Sequence, residues 1–191
     1  MKRAVAAIAV LAFSISFSLA DDTAEQAKPG LHLKIPAGWK SRMRQPPAGD
    51  TKLPTAMQID AREGSGAFSL KLTFFGNSPR KLTDDDVKKV AEAAAQQYID
   101  KSVEKAVDLQ ELKNENFLGY YATFTEAAPK PGDFPAVTSL VARLGDGLMA
   151  VTIMHQKDSK NLPTALEMLR TATVVKPATQ PATGAKAKAS S

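Results

Sequence analysis

The stretch Val137 to His155 reads VTSLVARLGDGLMAVTIMH, and its reading decides the fold. Val137 to Leu144 is rich in β-branched and aliphatic residues and reads as a strand. Gly145-Asp146-Gly147 is a tight turn, because glycine enters the left-handed backbone region at little steric cost. Leu148 to His155 returns as the partner strand. Successive side chains of a strand point to opposite sides. Leu148 and Ala150 therefore share one side, and Met149, Val151 and Ile153 share the other. Both sets are apolar, and a strand apolar on both sides belongs inside a sheet with a layer on each face.

Working outward, Ser159 to Thr171 reads as a helix with Leu162, Ala165, Leu166 and Leu169 facing in. Pro163 sits in its first turn, where a missing N–H costs nothing. Upstream, Val107 to Lys113 and Phe117 to Thr125 read as two strands around Asn114-Glu115-Asn116, and the proline-rich segment Pro129 to Pro135 as a loop. Thr83-Asp84-Asp85-Asp86 opens a helix: threonine caps the first turn, and the aspartates meet the positive end of the helix dipole. Val87, Val90, Ala91, Ala94 and Tyr98 fall on one face of this helix, which is expected to run to about Val103.

Earlier still, Ala56 to Arg62 and Ala67 to Phe75 alternate on either side of Gly64-Ser65-Gly66 and form a hairpin. In the second of these strands Phe68, Leu70, Leu72 and Phe74 face one way and Ser69, Lys71 and Thr73 the other. Leu31 to Ile35 is a short alternating strand, Pro36 to Trp39 a turn, Lys40 to Arg44 extended chain, and Gln45 to Pro54 a loop. Asp21 to Pro29 reads as a polar lead-in. Hairpins and two helices, without repeated crossovers, make an α+β domain on a mainly antiparallel sheet.

Both ends of the chain read differently. Met1-Lys2-Arg3 is basic, Ala4 to Phe17 is apolar, and Ser18-Leu19-Ala20 offers the small residues of a cleavage site. That order is the secretory signature. The expectation is a signal peptide over 1–20, one domain over 21–175, and export to the periplasm or the exterior. The apolar run is shorter than the roughly 20 residues a spanning helix needs, so no membrane anchor is expected after cleavage. KPATQPATGAKAKASS, over 176–191, has no acid and no large apolar residue and reads as a flexible tail.

The formal charge of +5 comes from these ends. Removing Lys2, Arg3, Lys176, Lys186 and Lys188 from the 25 basic residues leaves 20, equal to the 20 acidic ones. The core is neutral and carries no basic stripe with interleaved aromatics, so no nucleic-acid partner is expected. The chain has no cysteine, which removes thiol catalysis, thiolate metal sites and disulfides.

Little chemistry emerges from the motifs. The two histidines, His32 and His155, stand apart without a carboxylate pair, and no metal site or cofactor is expected. Asp84-Asp85-Asp86 lacks the alternating ligands and closing glutamate of a calcium loop. Gly64-Ser65-Gly66 opens no helix, as a phosphate cradle would. No G-x-S-x-G elbow occurs. Asp60 and Glu63 lie near a hairpin turn, where nothing sets a catalytic separation. No catalytic residue is assigned. One cluster stands out as a candidate binding surface: Trp39, Arg42 and Arg44, beside the proline-rich loop. Trp and Arg are enriched where proteins bind proteins.

The strand ending in Ile35-Pro36-Ala37-Gly38-Trp39, the hairpin after it, the acid-capped helix, and the block Phe117-Leu118-Gly119-Tyr120-Tyr121-Ala122-Thr123-Phe124 together resemble the Mog1/PsbP-like domains. The terminal hairpin and helix complete the order. The resemblance covers nearly all of the core and implies an α/β/α sandwich around an antiparallel sheet. It also implies binding or scaffolding, since the family includes an extrinsic photosystem II subunit, a Ran-binding factor and many exported bacterial proteins. No residue here carries over as a photosystem or Ran contact. The expected function is an exported, non-enzymatic binding or scaffolding module that contacts another protein. The alternative is a small-molecule or lipid carrier with an apolar pocket lined by residues such as Phe68, Phe74 and Tyr98. A third is a hydrolase with a dispersed site.

Overall fold

Hairpins set the topology. The computed structural model describes residues 23–27, 31–44, 55–63, 66–77, 81–115, 117–145 and 147–174. In chain order these form β1 (Thr23–Ala27), β2 (Leu31–Ile35), β3 (Lys40–Arg44), β4 (Thr55–Glu63), β5 (Gly66–Asn77) and α1 (Asp84–Ile99). Then follow β6 (Gln110–Lys113), β7 (Phe117–Thr125), β8 (Ala136–Leu144), β9 (Gly147–His155), α2 (Asn161–Arg170) and β10 (Thr173–Val174). The expected signal peptide, the Gln45–Pro54 loop, the Gly64-Ser65 half of the hairpin turn and the 176–191 tail lie outside the described residues.

Seven strands pair in the order β3-β4-β5-β9-β8-β7-β6, and every pairing is antiparallel. The strand apolar on both sides, β9, lies between β5 and β8. One face of the sheet carries Met57, Ile59, Phe68, Leu70, Leu72, Leu140, Met149, Val151 and Ile153. Ala165, Met168 and Leu169 of α2, with Leu33 and Ile35 of β2, close over them to form the main core. Each such side chain contributes roughly 1.5–3 kcal/mol by leaving water. On the opposite face α1 packs over β7 and β8. Its Val87, Ala91 and Ala95 are buried there against Val141, Ala122 and Phe124. The architecture is the expected α+β sandwich, with helices on both faces of an antiparallel sheet.

Three local readings change. The lead-in contains β1, which pairs with β2, and β10 joins β2 on its other edge to make a second, three-stranded sheet. TAEQA has no apolar alternation, so only backbone pairing with a neighbour makes it a strand. Helix α1 stops at Ile99 rather than Val103. Ser102 bridges to Glu126, and the Val103 N–H donates to the Thr125 carbonyl at 2.8 Å, so this segment is drawn to the end of β7. The third change is β6, which begins at Gln110 rather than Val107. Val107 and Leu109 pack beside α1 instead of entering the ladder. The start of α1 is as read. Thr83 and Asp86 form a reciprocal capping box, and Asp84 pairs with Arg143 at 2.8 Å. Asn114 donates to the carbonyls of Arg170 and Ala172 and so ties the end of α2 to the β6–β7 turn.

Candidate functional site

Because α1 lies over β7 and β8, the rest of its face is left without a helix among the described residues. Register determines what stands there. One row crosses the sheet as Thr152, Lys71, Gln58 and Arg42 on β9, β5, β4 and β3. The next runs Met154, Ser69, Asp60 and Lys40. Side chains opposite one another on neighbouring strands are in reach of each other, and here they form a network. Arg42 donates to Asp60 Oδ2 at 2.6 Å, while Gln58 and Ser69 donate to Oδ1 at 2.9 and 2.8 Å. Partial burial pushes the Asp60 pKa up, but the hydrogen bonds from Gln58, Ser69 and Arg42 outweigh it and hold the carboxyl below its usual value. The Arg42 side chain is 70% exposed, so its ion pair holds the guanidinium in place more than it stabilises the fold. Lys40 and Lys71 are exposed on the same face.

The structure separates the candidate binding cluster. Trp39 packs its ring against Phe68, with centroids 5.1 Å apart, and closes one end of the main core. Arg42 projects from the opposite face, which no helix covers there among the described residues. Arg44 ends β3 two residues on, and its side chain lies outside the described residues, as does that of Glu63.

A cleft of about 460 Å³ opens at the C-terminal end of α1. Tyr98, Phe124, Phe134, Val137 and Met154 line it, and the Tyr98 and Phe124 rings stack at 5.6 Å. Lys101, Glu126 and Asp133 also line it; Lys101 follows the end of α1, and its carbonyl accepts from the Ala127 N–H at 2.9 Å. This is not the pocket expected for a carrier. Phe68 lies on the far side of the sheet from Tyr98, in a different core, and the Phe74 side chain lies outside the described residues. The cleft escapes a sequence reading because Phe134 comes from a proline-rich loop with no periodicity. Lys71, Gln58 and Ser69 carry only the weak signal of polar alternation along their strands.

The histidines have structural surroundings. His155 is buried; its Nδ1–H donates to the Gln156 carbonyl at 2.7 Å, and Nε2 lies 3.0 Å from the Thr138 hydroxyl. His32 is half-buried in the three-stranded sheet, opposite Gln26 and Thr173. Among the described residues no group of three or more His, Cys, Asp or Glu could hold a metal ion, and no helix is long and apolar enough to cross a membrane.

The architecture has a counterpart among solved structures. The solution structure of cyanobacterial PsbP (CyanoP) from Synechocystis sp. PCC 6803 superposes with a TM-score of 0.52, over 84% of this chain and 96% of that one. The chain has the Mog1/PsbP-like fold. Sequence identity over the match is 10%, so the likeness extends to the fold alone. No protein-family model and no curated protein matches the sequence. Within that fold, the candidate sites are the half-face around Arg42 and Lys71, which no described helix covers, and the cleft beside it.

Proposed function

We propose that this protein is an exported, non-catalytic binding module that docks another protein on the uncovered half of its seven-stranded sheet. The observation that carries the reading is the asymmetry of one sheet face. Helix α1 covers β7 and β8, while β3, β4 and β5 present an ordered polar network and exposed cations. Arg is enriched at interface hot spots, and a guanidinium already oriented by Asp60 loses less freedom when a partner binds. Export rests on the N-terminal basic, apolar, small-residue order.

The test is crosslinking in living cells through a C-terminal tag, followed by mass spectrometry, with the native chain and with Arg42→Ala and Arg44→Ala. The reading requires a reproducible exported or membrane-attached partner whose recovery falls in the variants while the melting temperature holds. Recovery unchanged in both variants removes this face from the interaction.

A second reading has one observation in its favour. The cleft beside Tyr98 falls in the volume range of small-molecule sites and has an aromatic lining. A small amphipathic molecule carried there would co-purify with the protein and appear in native mass spectrometry.

A further inference from the structure

The cleft and the cationic row are parts of one continuous surface. Thr152 and Met154 belong to the cleft lining, and their direct partners on β5 are Lys71 and Ser69. From Thr152 the row continues through Lys71 and Gln58 to Arg42, three strand spacings or about 14 Å away. The helix forms the wall of this surface. Gln97 and Lys101 line the cleft, and Val90, two turns before Gln97 on the same stripe, is 41% exposed.

Charge is divided across the cleft. Lys71 stands on the β5 side with Arg42 beyond it, and Asp60 is already engaged by Arg42, Gln58 and Ser69; Lys101, whose carbonyl accepts from the Ala127 N–H at 2.9 Å, sits beside Glu126 at the end of β7. Glu126 and Asp133 stand on the other rim. An anionic group arriving with an apolar one is therefore favoured on the β5 side and opposed on the β7–β8 rim.

Resting on the proposed docking role, we infer that the partner presents a short acidic segment led by one bulky apolar residue. The apolar side chain fills the cleft between Tyr98, Phe134 and Met154. The acidic residues follow over Lys71 toward Arg42. An extended chain advances about 3.3 Å per residue, so about four residues span the distance from cleft to guanidinium. The pocket supplies the desolvated anchor typical of a hot spot, and the cations set the direction in which the segment lies.

The experiment places a photocrosslinking residue in the full chain at position 97, on the cleft wall, and separately at position 40, exposed on the same face of β3 as Arg42. Captured protein is digested and the crosslinked segment sequenced. The expected segment at position 97 is acidic with a large apolar residue. Lys71→Glu should lower its capture about tenfold, since like charges brought together at an interface oppose binding strongly. Phe134→Ala should lower it as well, and Lys113→Glu, on the far edge strand, should not. Lys71 is exposed, so its variant tests the inference even if Phe134→Ala folds poorly. A neutral or basic segment captured at position 97, or capture unaffected by Lys71→Glu, overturns the inference and leaves the docking role standing. Capture at position 40 but not at 97 does the same. Capture at neither position removes the docking role itself, and the inference with it. A bound small molecule at position 97 instead of a peptide assigns the cleft to the carrier reading and overturns the inference.

Discussion

Gly119 in β7 is a position where the fold should tolerate one added methyl group poorly. A Cβ built there lies 3.0 Å from the Ala142 Cβ, 3.1 Å from Phe117 Cε1 and 3.2 Å from the Val141 carbonyl oxygen. Carbon atoms in favourable contact sit about 3.5–4.0 Å apart, so the new atom overlaps its neighbours by about half an ångström. Two of the three neighbours are fixed to the β8 backbone and cannot rotate away, and Phe117 is buried. Overpacking of this kind costs about 1–3 kcal/mol. Restricting the unfolded chain returns about 0.4–1 kcal/mol. Gly119→Ala should therefore destabilise by about 1–2 kcal/mol, which lowers the melting temperature of a chain this size by about 2–8 °C. Urea denaturation of wild type and variant should show a lower midpoint with an unchanged slope. Adding Ala142→Gly removes the closest atom, and in a double-mutant cycle it should recover part of the loss. A Gly119→Ala variant as stable as wild type, or a cycle with no coupling, would refute the reasoning, because β7 and β8 would then separate without cost.

The remaining predictions concern other parts of the molecule. Asp60 has a lowered folded-state pKa, so its contribution is present above its usual value of 3.8 and is lost as pH falls through the lowered value. The melting-temperature gap between wild type and Asp60→Asn should accordingly shrink as pH is lowered from about 5 through the carboxylate range, and a gap that stays constant would count against the network. Thr83→Ala removes the capping box of α1 and should cost about 1 kcal/mol in chemical denaturation, with Thr83→Ser recovering most of it. Trp39→Ala opens the end of the main core. It should cost about 2–3 kcal/mol, below the range for a fully buried ring. It should leave crosslinking from position 40 unchanged, because Trp39 and Lys40 face opposite sides of the sheet; a loss of both stability and capture would reunite them in one surface.

Sequence patterns were most informative where a side chain's environment repeats at a fixed period. The doubly apolar Leu148 to His155, the alternating Ala67 to Phe75 and the capped helix at Thr83 each carry that periodicity, and all three elements are present. Patterning fails where an element exists because of its neighbour. β1 has no apolar alternation and is a strand only because β2 offers a backbone ladder. The helical reading of α1 extends to about Val103, yet the Val103 amide is claimed by Thr125 at the end of β7. The candidate cluster shows the same limit. Trp39 and Arg42 are three residues apart, but the pleat sends them to opposite faces, one into the core beside Phe68 and the other onto Asp60.

By itself, then, the sequence determined the kind of domain: antiparallel hairpins, two amphipathic helices, a neutral core without cysteine, and no recognisable catalytic motif. These are local or compositional properties, and each residue's pattern contains them. Only the tertiary structure decided which half of the sheet α1 covers, that Lys71 and Arg42 lie in one row reaching Thr152, and that Tyr98, Phe134 and Met154 meet in a cleft. Those relations depend on strand order and register between segments far apart in the chain. Pairing β5 with β9, which brings Lys71 opposite Thr152, is a global outcome of packing both sheet faces at once.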